Sequence, residues 1–194
     1  MRTPPRATPP PPAVLAARRR AERLVDAEQV RQAIDRVAVR LALELQDTNP
    51  LVLAVMHGAL PFAAALLERF AFPLELGYLH ASRYAAATRG GELRWHATPD
   101  YALHGRCVLL VDDVFDRGET LAALVGWAAG AGAGHVTTAV LVDKEVSGAR
   151  PMAVDHAALR CPDRYLFGCG MDFRGYWRNL PAIYALPADL EDAP

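Results

Sequence analysis

"VLLVDDVFDRGETL", residues 108–121, is the stretch that decides the fold. The apolar run Val108 to Val111 is short and uninterrupted, which suits a buried parallel strand. Asp112 and Asp113 stand where that strand is expected to emerge, followed by Asp116, Gly118, Glu119 and Thr120. "LAALVGWAAG" (121–130) then reads as a helix ended by glycine. A strand-to-helix turn of this kind aims backbone N–H groups and a hydroxyl at a phosphate. Adjacent carboxylates beside it suit Mg²⁺ and sugar hydroxyls, and a third can handle a proton. The other reading is an acidic turn with Asp116 as a helix cap. The order acid-acid-apolar-apolar-Asp-x-Gly-x-Thr behind a long apolar lead-in favours the phosphate site.

Upstream, "VDAEQVRQAIDRVAVRLALEL" starts with Asp26 as N-cap and Gln29 three residues later, a capping-box pattern. Val30, Ile34, Val37 and Leu41 repeat at helical spacing, and Asn49-Pro50 stops the helix. "LVLAVM" (51–56) reads as a buried strand, "PFAAALLERF" (61–70) as a helix opened by proline, and "LELGYLH" (74–80) as another strand. Residues 81–100 are polar and mixed around Gly90-Gly91, and are expected to form a mobile loop or hairpin. "RCVLLVDD" and "HVTTAVLVD" are strands; the last third is expected to supply small strands of a cap. Alternating strands and helices predict an α/β fold with a mainly parallel twisted sheet flanked by helices. Ligands of such sheets bind beyond the carboxyl ends of the strands. Three such ends carry chemistry: "VMHGAL", "VDDVFDRGET" and "LVDKE".

At 194 residues and 52% hydrophobic, the chain has enough for one core and too little for two comfortable domains. A single domain is expected over 13–194, its core at about 50–145 and its cap from about 13–49 and 146–194. Six prolines in the first twelve residues predict a disordered tail at 1–12, neither signal peptide nor anchor. A net charge of -1 argues against nucleic acid as the main partner, and Arg18, Arg19 and Arg20 read as the solvated face of a helix. No apolar run approaches the roughly 20 residues of a membrane span. Cys107, Cys161 and Cys169 form no CxxC pair and read as reduced, mostly core residues of a cytoplasmic protein; their spacing does not suit zinc. "GAGAGH" (130–135) follows a helix and has His135 where GxGxxG needs its third glycine, so it is a turn and no dinucleotide loop. Asp113 and Asp116 are three apart, which disfavours a phosphatase DxD nucleophile.

Lys144 is the only lysine, against twenty arginines. A strand-end residue that needed only to reach water could equally be arginine here, so its retention points to a chemical task.

The 108–121 segment resembles the ribose-phosphate motif of the type I phosphoribosyltransferases. Four further stretches narrow the resemblance to the hypoxanthine-guanine (6-oxopurine) branch. "LVLAVMHGALPFAAALL" is similar to its pyrophosphate loop, "SRY" (82–84) to its mobile-loop Ser-Tyr pair, "LVDK" to its base-recognition lysine, and "CPDRYLFGCGMDFRGYWRNL" (161–180) to its base-binding segment. The match runs from about residue 24 to 186, with the motifs in the family's order.

The resemblance implies a transfer of the 5-phosphoribosyl group from phosphoribosyl pyrophosphate to hypoxanthine or guanine, with Mg²⁺ as cofactor. It implies that Asp112 and Asp113 hold the ribose hydroxyls and the Mg²⁺ shell, and that Asp116 handles the proton at purine N7. The turn Asp116, Arg117, Gly118, Glu119 and Thr120 would bind the 5′-phosphate. Met56, His57 and Gly58 would line the pyrophosphate site, where the family often has a non-proline cis peptide. Tyr84 and Arg178 would also serve the phosphates. Lys144, Tyr165, Leu166, Met171 and Asp172 would form the purine site, and Asp172 would hold a second Mg²⁺. A homodimer or homotetramer is the implied assembly, with no nucleic acid and no membrane as partner.

Several positions depart from the family's pattern. Asp112-Asp113 stands for the frequent Glu-Asp, Arg117 for a small hydroxyl residue, His57 for a lysine, and Arg83 for the serine before Tyr84. An arginine that some members place shortly after the lysine is missing, and Arg150 is the nearest substitute. The competing functional class is a nucleic-acid-binding regulator on the same fold, using phosphoribosyl pyrophosphate as a signal. The charge balance and the retained Asp116 and Lys144 favour the enzyme.

Overall fold

The structure, a computed structural model, describes residues 8–83 and 93–191. In chain order the elements are α1 (Pro12–Arg20), β1 (Glu22–Val25), α2 (Ala27–Leu45), β2 (Leu51–Val55), α3 (Leu60–Leu67), β3 (Glu75–Arg83) and β4 (Leu93–Ala97). They continue as β5 (Cys107–Phe115), α4 (Glu119–Gly130), β6 (His135–Glu145), β7 (His156–Pro162), β8 (Leu166–Phe167), β9 (Ile183–Ala185) and α5 (Ala188–Glu191).

The main sheet has the order β4-β3-β2-β5-β6-β7. All its neighbours pair in parallel except β4, which runs antiparallel to β3 at the edge. Every residue of β2 is buried, as its unbroken apolar run requires of a strand covered on both faces. The expected capping box opens α2: the Asp26 side chain accepts from the Gln29 N–H, and the Gln29 side chain accepts from the Asp26 N–H, both at 2.9 Å. Its apolar stripe, Val30, Ile34, Val37, Leu41 and Leu45, is buried in the main core. Truncating a leucine such as Leu41 to alanine there costs about 2–5 kcal/mol.

A second sheet, β1-β9-β8, is small and antiparallel. With α1 it encloses a separate apolar cluster of Val14, Ala17, Phe167, Phe173, Ala182, Tyr184 and Leu186. The Trp177 indole donates to the Val14 carbonyl at 2.9 Å and ties the two chain ends together.

The structure departs from the sequence reading in several places. Pro12 begins α1, so the stretch expected to be a tail ends before it. Arg19 and Arg20 are exposed, but Arg18 lies over the Tyr184 ring at 4.2 Å and donates to its hydroxyl. The helix expected over 61–70 is α3, which starts at Leu60 and ends at Leu67. The described flanks of 81–100, by contrast, agree with the hairpin that was one of the two expectations: β3 runs to Arg83, and β4 pairs with it antiparallel. β7 falls in the range expected to make a cap, yet it pairs with β6 as the outermost strand of the main sheet.

β5 and β6 are longer than expected, and this places the site. β2 pairs with β5 only as far as Ala54 opposite Val111. β5 and β6 continue past that point to pair Phe115 with Asp143. Asp112 and Asp113 therefore lie within the strand and not beyond its end. They become accessible because the neighbouring strand stops first.

Candidate active site

β2, β5 and β6 are adjacent, so the three strand ends marked by sequence converge. A fourth segment, 163–180, follows β7 and brings Tyr165, Leu166, Met171, Asp172 and Arg178 to the same place. Gly58 explains the closeness of the first contact: a Cβ placed there would lie 1.9 Å from Asp113 Oδ2. Only a residue without a side chain lets the loop after β2 sit against that carboxylate. The Gly58 carbonyl in turn abuts Gly170, where an added Cβ would also fall at 1.9 Å. The Met56–His57 peptide bond in this loop is cis, as the resemblance implied.

One pocket is walled by Lys144, Tyr165, Leu166, Met171 and Asp172, together with Asp113, Val114 and Asp116. It opens into a larger cleft that shares Asp113, Val114, Asp116 and Asp172. That cleft adds Met56, His57 and Gly58 from the loop after β2, Asp112 from β5, the turn from Arg117 to Thr120, and Arg178. All the residues expected around base and phosphates are thus brought together, except Tyr84, which lies outside the described residues.

The turn enters α4 through Gly118, whose φ of 79° is left-handed. No side chain caps this helix start, which leaves its amide dipoles aimed at the cleft where an anion is favoured. A side chain at 118 would be strained at that φ and would meet the Phe115 ring at 2.6 Å.

Lys144 is 8% exposed and is the only buried charged residue among those described. Its ammonium donates to Asp116 Oδ2 at 2.9 Å and lies 3.2 Å from Asp163 Oδ1. Arg117 turns toward the same carboxylates. It lies 3.6 Å from Asp163 and 4.0 Å from Asp116, and donates to the Ser147 carbonyl at 3.2 Å. Arg150 packs over the Phe115 ring at 4.6 Å, pairs with Asp143 at 2.5 Å and donates to the Lys144 carbonyl. It fixes the backbone from which the lysine projects. Sequence reasoning did not find Asp163. Its only signal was its place two residues before Tyr165 in the 161–180 segment.

Tyr165 is 38% exposed and meets Phe173 edge to face, with ring centroids 5.9 Å apart. Its hydroxyl donates to the Asp172 carbonyl at 3.2 Å. The Asp172 carboxylate is held by Arg178 at 2.5 Å and by the Gly175 N–H at 2.6 Å. Arg178 also donates to the Gly170 carbonyl at 2.6 Å.

Burial pushes the Asp112 carboxyl well above the usual carboxylate range, and the charge of Asp113 adds to this. Burial raises Asp113 as well, while hydrogen bonding from Asp112 and the charge of Arg178 pull part of that back. Two adjacent, poorly solvated carboxylates facing a cleft suit a divalent cation, which would offset their charge with hard oxygen ligands. Asp172 suits one less well, since both its oxygens are engaged. Among the described residues no three acidic, His or Cys side chains are grouped to hold a metal by themselves. A cation here would take further oxygens from a bound phosphate or water.

The phosphoribosyl transferase domain matches residues 20–174. The hypoxanthine-guanine phosphoribosyltransferase of Bacillus subtilis (strain 168) is 31% identical over 164 residues, covering 84% of this chain and 91% of the relative. Among solved structures, a hypoxanthine-guanine-xanthine phosphoribosyltransferase superposes with a TM-score of 0.77 at 28% identity, over 85% of this chain and 96% of its own. A hypoxanthine phosphoribosyltransferase from Staphylococcus aureus superposes with a TM-score of 0.84, over 92% of this chain and 98% of its own; at 19% identity it speaks for the fold alone. With that match spanning the main sheet, the turn into α4 and the base-side wall, the chain belongs to the phosphoribosyltransferase family.

Proposed function

We propose that this chain is a purine-salvage enzyme that transfers the 5-phosphoribosyl group from phosphoribosyl pyrophosphate to hypoxanthine or guanine. The observation that carries the reading is the pairing of Lys144 with Asp116 on the wall of the pocket that holds Tyr165 and Leu166. A 6-oxopurine presents O6 and N7 on one edge. An ammonium has three donors and no acceptor, so it can donate to O6. The carboxylate beside it can take the N7 proton.

In the reaction, purine N9 forms a bond to C1 of the ribose, and the bond from C1 to pyrophosphate breaks. The proton leaves N7 for Asp116. Positive charge grows on the ribose and negative charge on the departing pyrophosphate. The backbone of the Met56–Gly58 loop and Arg178 stand on the pyrophosphate side of the cleft, and the start of α4 with the Thr120 hydroxyl on the 5′-phosphate side. Asp112 and Asp113 bind the ribose hydroxyls and would hold Mg²⁺, which supplies charge compensation to the leaving group when bound. Asp172 keeps Arg178 oriented and is a weaker candidate for a second ion. Tyr165 covers one face of the base.

Three free cysteines and a structure whose described helices are all too short or too polar to cross a membrane support a cytoplasmic location. Exposed Leu60 and Tyr78 are apolar surface suited to burial in a homodimer or homotetramer. The test is pyrophosphate release from phosphoribosyl pyrophosphate with adenine, hypoxanthine, guanine and xanthine in turn. Release with hypoxanthine or guanine and Mg²⁺ is expected. Release with adenine alone, or with none of the four, would overturn the reading.

A further inference from the structure

We propose that Asp163 is a positioning residue that holds the Lys144 ammonium in place for the base, and that Arg117 links it to the phosphate turn. The inference rests on the reading of Lys144 as the base-facing cation.

The pairing Lys144 opposite Cys161 in β6 and β7 brings Asp163, just past the end of β7, level with the lysine head group. Lys144 Nζ then has a carboxylate on each side, Asp116 at 2.9 Å and Asp163 at 3.2 Å. The two acids cannot have the same task. Asp116 must be free to receive a proton, and a carboxylate that has taken one no longer pairs with an ammonium. Asp163 is the partner that takes no part in the proton transfer. It keeps Lys144 from following Asp116 as that carboxylate turns to N7. Without Asp163 the ammonium has Asp116 as its remaining anionic neighbour, is drawn onto it, and leaves O6.

Arg117 extends the arrangement. It lies 3.6 Å from Asp163 Oδ2 and 4.0 Å from Asp116 Oδ1, and its Nη1 is anchored on the Ser147 carbonyl. Asp163 thus carries two cations, one on each oxygen. Its negative charge is matched on the phosphate-turn side by Arg117 and on the base side by Lys144. This gives the departure at position 117 a structural role: the guanidinium holds Asp163, and with it the lysine.

The experiment uses the full chain with Asp163→Asn and Asp163→Ala. Asn keeps the shape and one acceptor without the charge; Ala removes both. The expected result is a graded rise in KM for guanine or hypoxanthine, about three- to tenfold in Ala and less in Asn, because the lost pair is partly exposed. KM for phosphoribosyl pyrophosphate stays within about twofold of the parent, since Asp163 does not line the phosphate cleft. A second readout needs no turnover. With one lysine in the chain, ¹³C-lysine labelling gives a single ε-methylene signal that reports Lys144 alone. That signal should move on adding guanosine 5′-monophosphate in the parent, and respond less in Asn and least in Ala. Either variant alone is enough for the comparison if the other fails to fold. An unchanged base KM, an equal rise in both KM values, or a Lys144 response identical to the parent's would overturn the role of Asp163. A parent that transfers ribosyl phosphate to no purine, and whose lysine signal ignores the nucleotide, would instead overturn the functional reading beneath it.

Discussion

Lys144 Nζ lies 2.9 Å from Asp116 Oδ2; the lysine belongs to β6 and the aspartate stands just past the end of β5, 28 positions away in the chain. The contact places a proton acceptor and a fixed donor side by side. Their spacing suits the N7–O6 edge of a purine.

Replacing Asp116 with Asn keeps the shape and removes the basicity. We expect kcat to fall roughly 10²–10⁴-fold, the range of a lost general acid-base group. The KM for phosphoribosyl pyrophosphate should change little. Steady-state kinetics on the purified variant would decide, and near-parent turnover would sink the assignment.

Asp112 and Asp113 illustrate a cost of the site. Burial, and for Asp112 the charge of its neighbour, hold both carboxyls above their ordinary range. A carboxyl raised in the folded state favours folding below its unfolded value, near pH 4, and that contribution is lost as pH rises through the folded value. Asn at both positions escapes the loss. Melted in EDTA at pH 7.5, the double variant should therefore exceed the parent by a few degrees, since about 1 kcal/mol is worth ~2–4 °C in a chain this size. The gap should close toward pH 4. The same variant should show a higher KM for phosphoribosyl pyrophosphate and a greater Mg²⁺ requirement, with purine choice unchanged. A double variant that melts at or below the parent at pH 7.5 would contradict the argument.

Tyr165→Ala should weaken purine binding by ~1–3 kcal/mol, the usual value of an aromatic base platform. Tyr165→Phe keeps the ring and loses the hydroxyl's bond to the Asp172 carbonyl, so its effect should be small. Titration with guanosine 5′-monophosphate would measure both. Equal losses in the two variants would mean that the hydroxyl, and not the ring face, is what matters.

Much of this was legible in the sequence because it was local. The Asp26–Gln29 capping box depends on residues three apart, and the buried β2 on one unbroken apolar run. The order of acids and glycine in 112–120 likewise carries its own meaning. What escaped was set by tertiary contacts. α1 buries only Val14 and Ala17, and its packing surface comes from Phe167 and Tyr184 at the far end of the chain. The exposure of Asp112 and Asp113 depends on where β2 stops, which no residue of β5 reports. Asp163 and Arg150 gain their roles only because β7 pairs with β6 and the loop between these strands folds back on Phe115.

The most direct measurement is kcat/KM for guanine, hypoxanthine and adenine in the parent, Lys144→Met and Lys144→Arg. Adenine presents an amino donor where the oxopurines present O6, so the ammonium would face a donor and stay unsatisfied. A hydrogen bond to a charged group is worth ~1.5–3 kcal/mol, or roughly ten- to two-hundred-fold. The parent should prefer the two oxopurines, and Lys144→Met should lose about that factor with both. Lys144→Arg should not restore it, because a wide planar guanidinium overfills the space that the ammonium takes between Asp116 and Asp163. A parent that uses adenine freely, or a Lys144→Arg variant equal to the parent, would contradict the assignment of Lys144 to the 6-position of the base.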